Sequence, residues 1–314
     1  MNRDHQQMTG TKAPVVWRDM DQAALDAAYD QNVYAPNRLQ LLERFSSNSE
    51  TTRSVLGAPQ RFGYGEAEIE GLDIYRSIRT NAPIQIFIHG GAWRSGTAAQ
   101  YAFPAEVFVR AGAHFVVPDF DWVQDHNGDL RPMVAQVRRA IAWVAHNAGQ
   151  FGGDPDRIYL SGHSSGAHLA GVALTTDWHH DFGLPSTVIK GALLCSGMYD
   201  LKPVRLSARS SYVSITDEIE HELSAMRHLE AIVPALVVGY GTLETPEFQR
   251  QSKEFAEALT ARGHPVDLLV AEHCNHFEIL ETLANPYGLL GRAALAQMGL
   301  GSSWAEHLEQ HGFN

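Results

Sequence analysis

The stretch Arg157-Ile158-Tyr159-Leu160-Ser161-Gly162-His163-Ser164-Ser165-Gly166-Ala167-His168 decides how this chain folds. Ile158–Leu160 is a short apolar run of the strand type, and the residues from Ser165 onward read as a helix. Gly166, Ala167, Ala170 and Gly171 are small, as a helix pressed onto a sheet requires. Between strand and helix, Gly162, Ser164 and Gly166 form G-x-S-x-G. In that context the motif marks a sharp turn that holds a serine in a strained backbone conformation and presents its hydroxyl to a cleft. Glycines two positions to either side leave room for neighbouring backbone, and the new helix aims free N–H groups at any anion formed beside Ser164. Ser164 is therefore the candidate nucleophile. Ser165 is expected to matter through its backbone N–H more than its side chain.

Working outward, the same alternation continues. Leu72–Tyr75, Ile84–Ile88, Phe115–Val117, Val188–Leu194, Leu236–Val238 and Val266–Val270 are further short apolar runs. Amphipathic stretches separate them. In one, Val134, Val137, Ile141 and Val144 fall on a single helix face. This grammar predicts an α/β fold, a mostly parallel twisted sheet with helices on both faces. No internal repeat or long linker interrupts it. Residues 1–17 are expected to be a mobile tail and 18–314 a single domain. Within it, 18–60 reads as a helical cap-like segment: Asp21 can cap a helix holding Leu25, Ala28 and Tyr29, and Leu39, Leu41, Leu42 and Phe45 mark a second. This segment and the 198–232 connection are expected to lie over the site.

The strand Ile84–Ile88 runs into His89-Gly90-Gly91-Ala92-Trp93. Backbone N–H groups reach a developing oxyanion only where no side chain intervenes, so Gly90 and Gly91, with Ala92 as a third, are the expected donors alongside Ser165. His89 reads as a structural hydrogen-bonder and Trp93 as a residue lining the substrate pocket.

Sites of this type order their residues serine, acid, histidine. After Val266–Val270 comes Glu272-His273-Cys274-Asn275-His276-Phe277. His276, directly before a helical stretch, is preferred as the base over His273. An imidazole with an ordinary pKa of about 6.5 can take the Ser164 proton and return it to a leaving group. The acid is Glu244, in the loop after Leu236–Val238, with Asp200 held in reserve. Thr245 and Pro246 read as the cap and first residue of the next helix, and Glu247 as a first-turn acid serving the helix dipole. His163 is expected to point away from the site.

At these residues the sequence resembles the arylformamidase (kynurenine formamidase) branch of the α/β-hydrolases, near the hormone-sensitive-lipase-like esterases. The resemblance rests on Met20-Asp21-Gln22-Ala23-Ala24-Leu25-Asp26-Ala27-Ala28-Tyr29, the HGGAW loop at 89–93 and GHSSGAHLAG at 162–171. It also rests on Ser196-Gly197-Met198-Tyr199-Asp200-Leu201, the stretch Thr245–Ser252 and Asn275-His276-Phe277. It implies Ser–acid–His hydrolysis of an N-formyl aromatic amine such as N-formylkynurenine, with no cofactor and no metal. The family's acid is usually an aspartate just before the PEF segment, where this chain has Glu244. A carboxylesterase acting on small aryl or alkyl esters is the alternative within the same chemistry. An inactive binding module on the same fold is the alternative outside it.

The 314 residues carry a formal net charge of −12, with 44% hydrophobic and 19% charged residues. That composition is globular, and its acidity argues against nucleic acid as a partner. No apolar run approaches a membrane span. The polar start and the two cysteines, Cys195 and Cys274, point to a reducing, cytoplasmic setting. The expected partner is a small amide or ester substrate, and a homodimer is left open.

Overall fold

The computed structural model describes residues 13–301. Ten strands occur in it: β1 (Val15–Trp17), β2 (Met20–Asp21), β3 (Gln60–Gly63), β4 (Gly71–Tyr75), β5 (Ala82–Ile88), β6 (His114–Pro118), β7 (Gly153–His163), β8 (Ile189–Cys195), β9 (Ala235–Gly241) and β10 (Val266–Ala271). Eight form one sheet in the order β10-β9-β8-β7-β5-β6-β4-β3. The six strands from β10 to β6 are parallel, while β4 runs antiparallel to both β6 and β3.

Side-chain alternation divides the core between the two faces. Ile84, Ile86 and Ile88 of β5 enter one apolar cluster with Val134, Val137, Ile141 and Val144 from the helix Arg131–Asn147. Ala167 and Ala170 from the helix Ser165–Ala173 and Phe255 from Pro246–Ala261 join them. Phe87, Phe115 and Val117 point the other way, against Phe45 of the helix Arg38–Leu56, Phe108 of Ala105–Ala111 and Leu290 of Leu289–Gln297. Burial on both faces explains why the central strands read as continuous apolar runs.

The chain leaves β5 for β6 on one side, returns to β7, and continues through β8, β9 and β10 on the other. Order therefore reverses between β5 and β7, the place in an open α/β sheet where a crevice forms beyond the carboxyl ends of the strands. The loop after β5 carries Gly90–Ala92 and the turn after β7 carries Ser164. The topology itself brings them together.

Two sequence expectations change. Residues 15–17, expected within the tail, form a strand: β1 pairs antiparallel with β2, and the Trp17 indole N–H donates to Glu247 Oε1 at 3.4 Å. Its apolar Val15-Val16-Trp17 run has strand propensity and a partner two residues past a turn, which is why it orders. Residues 1–12 lie outside the described residues. The strand β3 falls where the helical segment was expected to end. Gln60-Arg61-Phe62-Gly63 is mostly exposed at the sheet edge and is held by Arg61, whose guanidinium meets Asp73 and Asp119 at 2.8 Å each.

Among the described residues, no helix is long and apolar enough to cross a membrane.

Candidate active site

Ser164 sits at φ 57°, ψ −124°, a backbone conformation that a non-glycine residue adopts at a cost of about 1–3 kcal/mol. The surroundings enforce it. A Cβ at Gly162 would come 2.5 Å from the Gly166 carbonyl oxygen, and one at Gly166 would collide with the carbonyls of Ile88 and His89. The turn is thus clamped between its own helix and the end of β5, and the Ser164 N–H is held by the Cys195 carbonyl at 2.9 Å.

The Ser164 hydroxyl donates to His276 Nε2 at 2.8 Å. His276 Nδ1–H in turn donates to Glu244 Oε2 at 2.7 Å. The other carboxylate oxygen accepts from the Ser196 hydroxyl at 2.6 Å and the Gly241 N–H at 2.7 Å. Every side chain in this hydrogen-bonded line is buried: Ser164, His276 and Glu244 are 7%, 2% and 1% exposed. A carboxylate fixed by two donors cannot rotate away from the imidazole, and it selects the tautomer whose Nε2 carries the lone pair. The rings of Phe248 and Phe277 meet His276 edge-on, at 4.7 and 5.3 Å between centroids.

The structure brings Ser164, His276 and Glu244 into one line and leaves the competing residues outside it. Asp200 accepts from the Lys202 N–H at 3.0 Å and faces Arg227 at 3.5 Å. His273 is exposed at the loop tip. Glu247, expected to serve only the helix dipole, is 1% exposed and paired with Arg250, with the Tyr29 hydroxyl donating to it at 3.1 Å.

Gly91 and Ala92 line a cleft of about 360 Å³ together with Ser164, His163, Tyr101 and Phe277. Gly91 has φ 129°, and a Cβ there would run into the Ser95 carbonyl, so the loop needs glycine. Gly90 packs beneath: its missing Cβ would lie 3.2 Å from Ser164 Cβ. Ser165 opens its helix, so its N–H has no intrahelical partner. Burial pushes the Tyr101 phenol up to about 12, which keeps it a neutral wall.

Two residues stand differently from the sequence expectation. Trp93 is 1% exposed and is not part of the cleft wall; its indole N–H donates to His168 Nδ1 at 3.2 Å, locking the loop to the helix Ser165–Ala173. The indole is large enough to fill the space under the loop, and its one donor is spent there. His163 does not point away. Its ring lies 4.7 Å from that of His276, and its Nε2–H donates to the His276 carbonyl at 2.7 Å. Burial and the neighbouring imidazole hold His163 well below the ordinary histidine range. Its partner is a backbone oxygen far along the chain, which no local motif encodes. Ser196 is the other residue missed, although the run Ser196-Gly197-Met198-Tyr199-Asp200 offered a signal.

A model of the BD-FAE family matches residues 72–202. The kynurenine formamidase of Danio rerio is 32% identical over 298 residues, covering 90% of this chain and 98% of that protein. The chain belongs to the kynurenine formamidase family. It is a hydrolase of the α/β-hydrolase type. The family placement fits a wider kinship: the isoprenylcysteine alpha-carbonyl methylesterase ICME of Arabidopsis thaliana is 26% identical, covering 78% of this chain and 60% of that protein. Among solved structures, a thioesterase-like protein of Silicibacter superposes with a TM-score of 0.76 at 22% identity, covering 86% of this chain and 98% of that one. Esterase Est2 of Thermogutta terrifontis does so at 0.60 and 22%, covering 82% and 94%. These two likenesses concern the fold shared with the kynurenine formamidase family.

Proposed function

We propose that this chain hydrolyses the formamide of an aromatic amine, of the N-formylkynurenine type, through a formyl-enzyme on Ser164. The observation that carries the reading is the unbroken hydrogen-bond line from Ser164 through His276 to Glu244, together with the likeness to a formamidase along nearly its whole length.

In this reading His276 Nε2 takes the hydroxyl proton as Ser164 Oγ attacks the formyl carbon. The carbonyl π electrons move to oxygen, and that oxyanion is received by N–H groups from Gly90, Gly91 and Ala92 together with that of Ser165. Each such donor is worth roughly 3 kcal/mol of barrier. Collapse of the intermediate breaks the C–N bond, and the imidazolium gives its proton to the departing arylamine. Water, deprotonated by the same imidazole, then releases formate. Glu244 keeps its charge throughout and stabilises the imidazolium.

The helix Arg38–Leu56 contributes Arg38 and Leu42 to the cleft. This supports a role for the N-terminal helical segment in covering the site. The free thiols Cys195 and Cys274 support a reducing, cytoplasmic setting.

Esterase chemistry is the second reading, favoured by the methylesterase relatives, because an ester passes through the same oxyanion. Paired kinetics on an N-formyl arylamine and a short p-nitrophenyl ester separate them. A kcat/KM preference for the formamide is expected, and a strong preference for the ester would defeat the formamidase reading.

A further inference from the structure

The cleft over Ser164 opens beside a second cavity of about 450 Å³, and the two share Arg38 and Arg94 as walls. Arg209 belongs to the wall of the second cavity. The three arginines come from three separate segments: the start of the helix Arg38–Leu56, the loop that carries Gly91 and Ala92, and the 198–232 connection. Among the described residues none of them makes an ion pair, whereas Arg61, Arg139, Arg205 and Arg250 all do.

Arg209 is the most telling. It is 8% exposed, with Nη1 donating to the Tyr212 hydroxyl at 3.0 Å and Nη2 to the Tyr29 carbonyl at 3.2 Å. Its Nε–H is buried with no acceptor among the described residues. Its charge rests against the rings of Tyr29, Trp93 and Phe248 at 5.6–5.9 Å. Arg94 lies over the Tyr212 ring at 4.4 Å, so Tyr212 touches both guanidinium groups. A buried cation without a direct ion pair is costly to maintain, and an arriving carboxylate would relieve that cost with charge-assisted N–H donors. Asp26 and Asp30 line the same cavity. Their charge disfavours a dianion such as phosphate and suits a single carboxylate, with an ammonium group beside it tolerated.

Position then assigns the side of the substrate. Phe248 lies 5.9 Å from the Arg209 guanidinium carbon and 4.7 Å from the His276 ring, so one aromatic side chain separates the cation from the imidazole. A formyl group offers only hydrogen beyond its carbonyl, which places every recognition element on the amine that leaves.

We propose that Arg38, Arg94 and Arg209 form a subsite for a carboxylate on the leaving group, making them the residues that select anionic aryl substrates. The proposal rests on Ser164 acting as an acyl-transfer nucleophile, and its test is built to separate the two. Two substrate pairs are used, two N-formyl arylamines and two aryl acetates. Within each pair the members differ only in a ring side chain ending in a carboxylate or its neutral carboxamide.

The readout is the kcat/KM ratio of carboxylate to carboxamide. The full chain is expected to show a ratio of about ten or more, falling toward one in Arg38→Met and Arg94→Met through KM, partly restored in Arg94→Lys, and weakened by added salt. Arg209→Lys, which keeps the buried charge and guards against misfolding, is expected to lower the ratio while the circular dichroism spectrum is retained. A ratio near one in the wild type, or one unmoved in the Arg38→Met/Arg94→Met double variant, overturns the subsite. If only the acetates are cleaved yet their ratio is high, the subsite stands and the formamidase reading falls. If formamides are cleaved with a ratio of one, the reverse holds.

Discussion

His163 donates its ring N–H to the backbone carbonyl of His276 at 2.7 Å, so the residue preceding Ser164 holds the loop that carries the His276 imidazole. The two segments are tied by this bond as well as by the hydrogen bond between Ser164 and His276. Replacing His163 with Leu leaves that carbonyl buried without a donor, at a cost of about 1–3 kcal/mol. We expect His163→Leu to lower the thermal midpoint and to reduce kcat by roughly tenfold to a hundredfold, since a small displacement of a positioned group has effects of that size. Thermal melts and steady-state kinetics check it. A stable variant with unchanged kcat would remove His163 from any positioning role.

Glu244 should tolerate loss of charge poorly. The Glu244→Gln side chain keeps the size but supplies an amide where the His276 Nδ1–H needs an anion, and kcat is expected to fall by about 10³–10⁴. Ser196→Ala removes one of the two donors on the carboxylate and is expected to cost about tenfold. If Glu244→Gln loses less than Ser196→Ala, the carboxylate is not the group that orients the imidazole.

Gly91→Ala is expected to abolish turnover, because the added methyl meets the Ser95 carbonyl and the residue must hold φ 129°. The loop then shifts, and its N–H groups leave the oxyanion position. The measurement is kcat beside a melt: activity lost with the fold retained is the expected pair. Full activity in this variant would mean that the loop is not a donor.

Acid should destabilise the protein in a defined window. Burial pushes His168 down to about 4, against an ordinary value near 6.5. Between these values the unfolded chain binds a proton that the folded one does not, so this contribution is complete above about pH 6.5 and declines as the pH falls toward 4. The shift corresponds to a contribution on the order of 3 kcal/mol. His163 and His89, lowered by burial too, act in the same direction. Urea unfolding at pH 7.5 and pH 5 should show the loss, and His168→Gln should show less of it. Equal losses in both proteins would contradict the assignment.

Much of the fold and site could be read from the chain because the deciding demands are local. Ser164 is legible since its turn needs Gly162 and Gly166 within two residues, and the central strands are legible since burial on both faces makes them apolar throughout. The edge strand Gln60–Gly63 is not, because an exposed strand carries no apolar alternation. The choice between Glu244 and Asp200 needs the third dimension: both follow strands of the sheet, and only the packing of the helices shows that Asp200 turns to Lys202 and Arg227. His163 and Arg209 are silent in sequence for a related reason. Their meaning lies in a backbone carbonyl and in aromatic rings supplied by distant segments.

In the proposed mechanism the line from Glu244 through His276 makes the Ser164 hydroxyl the attacking group. Its most direct measurement is single-site: kcat on an N-formyl arylamine for Ser164→Ala beside the wild type, with folding checked by a melt. A fall of about 10⁶ is expected, in a protein that melts as before. A folded Ser164→Ala variant that hydrolyses the formamide within tenfold of the wild-type rate would contradict it.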